Sequence, residues 1–276
     1  VKRIRDVFAK RERRKNMKKI GWMMFVCLLV IGVAACGQSS EKTSGKGGAK
    51  EKTVVFATEP AIAPFSFKEN GKLKGFDIEI VQQIAKMKHY KVDWREMKFN
   101  GLITALQSKQ VDGGVAAITI RDDRKKVINF TDPYYQSGLV LVVKKESAIK
   151  STKDLKGKMI VAKQGSSGLE KANELKAKYG ANVKILEDEP TLYMDVEKGR
   201  ADALVNDLPF VMYKIHSGTA FQLKILGKKL TTEDYGIAIA KDEEQLLKDF
   251  NDGLAQLKKS GKYDQLYEKY FGKKPD

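Results

Sequence analysis

From Thr53 onward, short apolar runs alternate with stretches whose apolar residues recur every three to four positions, and this alternation restricts the chain to an α/β architecture. Residues 53–58, 90–96, 139–144, 159–162, 183–186 and 203–205 read as strands, with a further strand inside 111–120. Residues 75–87, 102–109, 169–179 and 192–198 read as helices; in the first of these Phe76, Ile80 and Ile84 stand four apart, and Asp77 sits where an N-cap or first-turn acid is favourable. The tail from Glu243 is helical, with Leu246, Phe250, Leu254 and Leu257 on one face and Tyr263, Leu266 and Tyr270 on another. A length of 276 residues suits about two compact units. The segments from Ser108 to Gly113 and from Lys198 to Ala203 echo one another, each closing a helix and opening a strand, as two similarly built lobes would require. Open α/β sheets place their sites beyond the C-terminal ends of parallel strands, so two such lobes facing each other make a cleft.

The N-terminal part obeys different rules. Residues 1–20 hold 10 Lys/Arg against 2 Asp/Glu, and residues 21–35 carry no charge. Residues 20–35 are 16 uncharged positions behind Lys18-Lys19, short of the ~20 that span a bilayer and typical of a signal-peptide core. Met17 is the expected start of that leader, with residues 1–16 an upstream extension. The core ends Val33-Ala34-Ala35-Cys36, which resembles a bacterial lipobox, so Cys36 is the expected lipidation site and first mature residue. Residues 37–52 are rich in Gly, Ser and Lys and read as a flexible tether. The expected location is the extracytoplasmic face of the cell membrane, held by lipid.

The net charge of +17 falls to +9 from Cys36 onward, which removes most of the support for a nucleic-acid partner. Cys27 and Cys36 are the only cysteines, and Cys27 would leave with the leader; a disulfide scaffold and a Cys-rich zinc site are therefore excluded. His89 and His216 lack any ligand spacing, which argues against a metal site or a Ser-His-Asp triad. No cofactor and no catalytic residue is expected.

Several ordered motifs carry a resemblance. Phe56-Ala57-Thr58-Glu59, Pro64-Phe65, Gly75-Phe76-Asp77, the run from Ala116 through Arg124, and Phe130-Thr131-Asp132-Pro133-Tyr134-Tyr135 together resemble the polar amino acid-binding proteins of ABC importers, a family of bacterial extracellular solute-binding proteins, and within it the glutamine-binding group. The resemblance runs from about Thr53 to Lys274. It implies a two-lobed periplasmic-binding-protein-like (type II) fold, with lobe 1 at 53–136 plus 234–276, lobe 2 at 137–233 and a ligand cleft between them. It also implies an ABC permease with its ATPase as partner, and a monomer.

The resemblance further implies the site. A guanidinium matches a carboxylate in bidentate fashion, and Arg124 is placed on the ligand carboxylate, helped by the Thr119 hydroxyl and the Ser167 N–H. Arg121 is expected to be a solvated arginine. Asp207, the Ala117 carbonyl and Thr119 are placed on the ligand ammonium, with Ala116 alongside. Phe99 packs on the aliphatic stem, and Glu59 and Lys163 face the side-chain end. Lys163 can donate to an amide C=O while Glu59 accepts from its NH₂, and the two charges can also pair with each other. A cationic ligand would be repelled by Lys163 and a glutamate by Glu59, at roughly 4 kcal/mol for like charges 4 Å apart in an effective dielectric near 20. Glutamine is favoured on that reasoning. The glutamine-binding pattern nevertheless has Asp where Glu59 stands, an aromatic at Ile62, Gly at Ala117 and His at Asn206, so arginine, lysine or glutamate stay open as ligands, as does a dehydratase on the same scaffold with Glu59 as general acid.

Overall fold

The computed structural model describes residues 51–220 and 222–272, so the expected leader, the lipidation site Cys36 and most of the tether lie outside the described residues. In chain order, strands β1 (Lys52–Thr58), β2 (Ala61–Ile62), β3 (Ser66–Glu69) and β4 (Lys72–Lys74) precede helix α1 (Phe76–Met87). Then come β5 (Tyr90–Glu96), α2 (Phe99–Gln107), β6 (Gly113–Gly114), α3 (Asp122–Lys125), β7 (Asn129–Phe130), β8 (Tyr135–Ser137) and β9 (Leu139–Lys144). After β10 (Met159–Lys163) follow α4 (Ser167–Tyr179), β11 (Asn182–Leu186), α5 (Glu189–Glu197), β12 (Ala203–Asp207), α6 (Leu208–His216) and β13 (Leu223–Leu226). The chain ends through β14 (Glu233–Tyr235), β15 (Ala238–Ile239), α7 (Glu244–Lys259) and α8 (Lys262–Phe271).

Two five-stranded mixed sheets define two lobes. The first has the order β5-β1-β6-β15-β7, the second β11-β10-β12-β9-β13. In each, four strands run the same way and one reversed strand, β15 in the first sheet and β9 in the second, pairs antiparallel with both of its neighbours. The echo in the sequence is a repeat in structure. Asp112 accepts the Val55 N–H on its carboxylate at 2.7 Å and returns its own N–H to the Val55 carbonyl at 2.9 Å. Asp202 does the same with Met159, at 2.8 Å in both directions. Lys109 (φ 56°) and Gly199 (φ 73°) turn the chain through the left-handed region just before each of these aspartates.

Burial explains the strand patterns. Along β9, Leu139, Leu141 and Val143 pack with Ala172 and Leu175 of α4, while Val140 and Val142 pack on the opposite face with Leu192 and Val196 of α5. A sheet covered on both faces needs an unbroken apolar run, and Leu139–Lys144 supplies one. The first lobe buries Phe56, Ile80, Ile84, Leu102 and Phe250 together, with Phe56 stacked on Phe250 at 5.1 Å. Each such side chain contributes about 1.5–3 kcal/mol by leaving water.

The chain passes between the lobes twice, and the two passages run side by side as β8 and β14, with Tyr135 opposite Tyr235. Antiparallel strands of three residues make a narrow connection that can bend while each sheet stays rigid.

Two helix starts are corrected, and two readings that hold gain detail. Helix α2 starts at Phe99 rather than Leu102, because Phe99 is buried and the first turn runs through Asn100-Gly101. Helix α5 starts at Glu189 rather than Leu192; Asp188 caps it by accepting the Thr191 N–H, and Pro190 stands in its first turn. Within 111–120 only Gly113–Gly114 joins the sheet, since Ala117 adopts φ 48° and leaves the strand direction. Asp77 does lie in the first turn of α1, but the N-cap is Gly75 and the Asp77 side chain is fully buried, bonded elsewhere.

Candidate functional site

The C-terminal ends of β1, β6, β10 and β12 deliver Glu59, Ala116 and Ala117, Lys163, and Asn206 and Asp207 to the region between the lobes. One cavity there is lined by Ile62, Phe99, Ala116, Ala117, Thr119 and Arg124 from the first lobe and by Lys163, Ser167, Asn206 and Asp207 from the second. Glu59 reaches the same region through its ion pair with Lys163. All eleven expected positions therefore converge. Three further residues, Ser166, Glu189 and Phe210, line the cavity as well.

At one end sits Arg124, 4 % exposed. Its Nη1 donates to the Thr119 carbonyl at 2.9 Å, and its Nη2 crosses between the lobes to the Gly165 carbonyl, also at 2.9 Å. Its guanidinium carbon lies 5.4 Å from the centre of the Phe99 ring. Burial, aided by the neighbouring Arg121, lowers its pKa to about 10, so it stays charged at neutral pH. Beside it, helix α4 begins; Ser166 caps it by accepting the Leu169 N–H at 3.2 Å, and the buried Ser167 hydroxyl has no hydrogen-bond partner among the described residues. A buried guanidinium next to a helix N-terminus is suited to an anion.

On the other lobe, Asp207 is 7 % exposed and stands at the N-cap position of α6, yet its side chain makes no capping bond. It accepts the Tyr235 hydroxyl, which reaches it from β14. Burial pushes its pKa up to about 7, with Glu233 and Glu189 adding to the rise and Tyr235 opposing it. The Thr119 hydroxyl donates to Glu233 Oε2 at 3.0 Å. Its single proton is thereby engaged, so towards the cavity Thr119 acts as an acceptor; this suits an ammonium better than a carboxylate.

The third group is a buried triad. Lys163 pairs with Glu59 across the lobes and lies 3.6 Å from Glu189 Oε2. Burial raises the Glu59 pKa, with Lys163 pulling against it. Glu189 Oε1 accepts from Asn206 Nδ2 at 2.6 Å, and Asn206 also reaches Tyr193. Glu59 Oε1 and Glu189 Oε2 are buried without a hydrogen-bond partner among the described residues. This end of the cavity therefore offers two carboxylates against one ammonium.

Contacts at the rim bind the lobes together. Arg121 pairs with Asp123 in its own lobe and with Glu170 of α4 across the cleft, and only 16 % of its side chain is exposed, which overturns the expectation of a solvated arginine. Lys98 meets Asp188 at 3.5 Å and Asn100 meets Glu187 at 3.3 Å. Among the described residues no group of His, Cys, Asp and Glu is placed to hold a metal ion, and no helix is long and apolar enough to cross a membrane.

Glu189 was missed because the segment Asp188-Glu189-Pro190 reads as a loop when the helix is started at Leu192. The signal was present: an N-cap aspartate followed by proline in the first turn would have moved the start to Glu189.

The raised Asp207 pKa has a measurable consequence. An ammonium ligand needs the ionised carboxylate, so affinity should fall by up to about tenfold per pH unit below pH 7, with a proton released on binding. Stability of the ligand-free protein should run the other way. Asp207 and Asp77 both have folded pKa values near 7, above their ordinary 3.8, so their stabilising contribution is complete below about pH 4 and is lost as pH rises through 7. Calorimetric titration and thermal melts between pH 5 and 8 check both signs; an affinity flat over that range would contradict the role of Asp207.

Residues 54–273 match the model of the bacterial extracellular solute-binding proteins, family 3. The chain is 36 % identical to the probable amino-acid-binding protein YxeM of Bacillus subtilis (strain 168) over 262 residues, covering 92 % of this chain and 96 % of that one. It is 33 % identical to the arginine-binding extracellular protein ArtP of the same organism, covering 92 % and 98 %. Among solved structures it is similar to an ancestral arginine-binding protein bound to arginine, with a TM-score of 0.76 and 38 % identity over 81 % of this chain and 100 % of the other. An ancestral arginine-binding protein bound to glutamine gives a TM-score of 0.75 and 38 % identity, over 80 % of this chain and 98 % of the other.

Proposed function

We propose that this chain, which belongs to the bacterial extracellular solute-binding proteins of family 3, captures a free L-amino acid between its two lobes and delivers it to the permease of an ABC importer. One observation carries the reading: a buried guanidinium and a buried carboxylate, supplied by opposite lobes, face one cavity. That pairing complements the zwitterionic head of an α-amino acid. Arg124 and the α4 N-terminus take the carboxylate; Asp207, Thr119 and the Ala117 carbonyl take the ammonium; Phe99 covers the stem. Named relatives that bind amino acids support this assignment. The role is that of a binding protein rather than an enzyme.

The side-chain end narrows the ligand class. Lys163 is already balanced by Glu59, so it no longer repels a cation as strongly as the sequence alone suggests, and Glu189 adds a second negative charge. Two carboxylate oxygens with no hydrogen-bond partner among the described residues call for N–H donors. A cationic side chain such as that of arginine supplies the donors and offsets the residual negative charge. Glutamine is the second reading, favoured by Lys163 as a donor to an amide carbonyl. The ligands bound in the two ancestral arginine-binding protein structures, arginine and glutamine, fall in the same pair of classes.

Thermal shift and calorimetry with the twenty L-amino acids test this. Arginine or glutamine should bind at micromolar affinity or better, about −8 kcal/mol, and raise the melting temperature by several degrees. No stabilisation by any of them would overturn the reading. The tether and Cys36 support a lipid anchor, in which case the wild-type protein should incorporate a labelled fatty acid and Cys36→Ser should not. Absence of label in the wild-type protein would argue against the anchor.

A further inference from the structure

We propose that Asp77, in the first turn of α1, is a positioning residue of the ammonium subsite: its buried carboxylate holds Ala117 in the left-handed backbone conformation that presents this residue to the cavity. The inference rests on the reading of the cleft given above. Asp77 is fully buried. Its Oδ2 accepts the Ala117 N–H at 2.7 Å and its Oδ1 accepts the Tyr134 hydroxyl at 2.6 Å.

Ala117 has φ 48°, a region that a residue with a Cβ adopts reluctantly. The chain on either side is tied down. Val115 donates to the Ala57 carbonyl at 2.9 Å, Ile118 accepts from Gly236 at 3.1 Å, and Thr119 bridges to Tyr235. Between these anchors the segment leaves the strand direction, and Ala116 and Ala117 come to line the cavity. The Ala117 N–H is buried within that bend. Asp77 is the acceptor that satisfies it, and without Asp77 both the bend and the donor would be unsupported.

The same carboxylate reaches the connection between the lobes. Tyr134 precedes β8 and donates its N–H to the Tyr235 carbonyl at 2.9 Å, and Tyr235 in turn donates its hydroxyl to Asp207. Asp77 thus stands under one ammonium contact and, through Tyr134, adjoins the strand that supports the other. A carboxylate needs compensation to be buried, and here it comes from two donors that both belong to this framework.

The test is a double-mutant cycle with L-arginine and L-glutamine as probes. Asp77→Leu should weaken binding by roughly tenfold, the equivalent of losing the support for one left-handed residue. Measured against its own parent, Ala117→Gly should shrink the loss caused by Asp77→Leu, because glycine enters the left-handed region freely. Asp77→Asn should retain most of the affinity, since its amide oxygen can still accept the Ala117 N–H while its NH₂ turns towards Tyr134. Should Asp77→Leu fail to fold, Asp77→Ser, whose side chain is too short for that bond, takes its place. A merely structural role would lower the melting temperature while leaving affinity unchanged and showing no coupling to Ala117→Gly; that result overturns the proposal. Amide hydrogen exchange in the absence of any amino acid gives an independent reading: protection at Ala117 should drop selectively in Asp77→Leu, and unchanged protection would also overturn it. Failure of the wild type to bind either probe would instead count against the cleft's assigned function, with the exchange measurement still deciding the role of Asp77.

Discussion

Replacing Arg124 by alanine is expected to lower the affinity for an α-amino acid by roughly a hundred- to ten-thousandfold. A bidentate pair with a carboxylate comprises two charge-assisted hydrogen bonds, worth about 1.5–3 kcal/mol each in a site shielded from water. Arg124 is buried, its ring neighbour Phe99 lies beneath it, and its Nη1 bond to the Thr119 carbonyl keeps the fork aimed into the cavity. The substitution also removes the bond from Nη2 to Gly165, one of the contacts that hold the lobes together. Arg124→Lys keeps a charge but not the planar fork, so its affinity should fall between the two. Calorimetric titration of the three proteins, with circular dichroism to confirm folding, checks the order. Equal affinity of Arg124→Ala and wild type would remove the carboxylate half of the clamp.

The second large effect is expected from Lys163→Met. Breaking a buried ion pair by removing one partner typically costs about 3–5 kcal/mol. Here two carboxylates lose their shared ammonium, Glu59 on the first lobe and Glu189 on the second. The lobes can relieve the cost by separating, so the loss should appear as an opened cleft more than as global unfolding. Small-angle scattering of the ligand-free variant should show a larger radius of gyration than wild type at pH 8, and the difference should shrink on acidification, because burial raises the Glu59 pKa and its protonation relieves the repulsion. Ligand preference should change as well. An arginine guanidinium can replace the missing ammonium, whereas glutamine cannot, so the variant should favour arginine over glutamine by at least about tenfold more than wild type does. An unchanged preference would show that the triad does not face the ligand side chain.

The limits of the sequence follow from where the information resides. Strands β5 and β9 were legible to the residue because their apolar pattern reports directly on which faces are covered. Helix starts were less legible. Phe99 and Glu189 open helices from segments that read locally as turns, and what settles each is packing or capping. The repeat was visible only as a six-residue echo, while its physical content, the paired bonds of Asp112 and Asp202, lies between strands distant in sequence. The eleven site positions came from the family resemblance, five of them from the motifs that carry it, and they converge on one region. Their charge balance did not come with them: Glu59 and Lys163 are 104 residues apart, and the effect of Glu189 on both becomes apparent only in three dimensions. Asp77 shows the same limit from the other side. On the chain it is an acid in a helix first turn, while its partner Ala117 is 40 residues away.

A crystal structure of the protein with a bound amino acid tests the central claim most directly. The account predicts the α-carboxylate within hydrogen-bond distance of the Arg124 guanidinium, the α-ammonium on the Asp207 carboxylate, and the side chain running past Phe99 towards Glu59 and Glu189. An amino acid bound outside this cleft, or lying within it with its head group turned towards Glu59 and Glu189, would contradict that prediction.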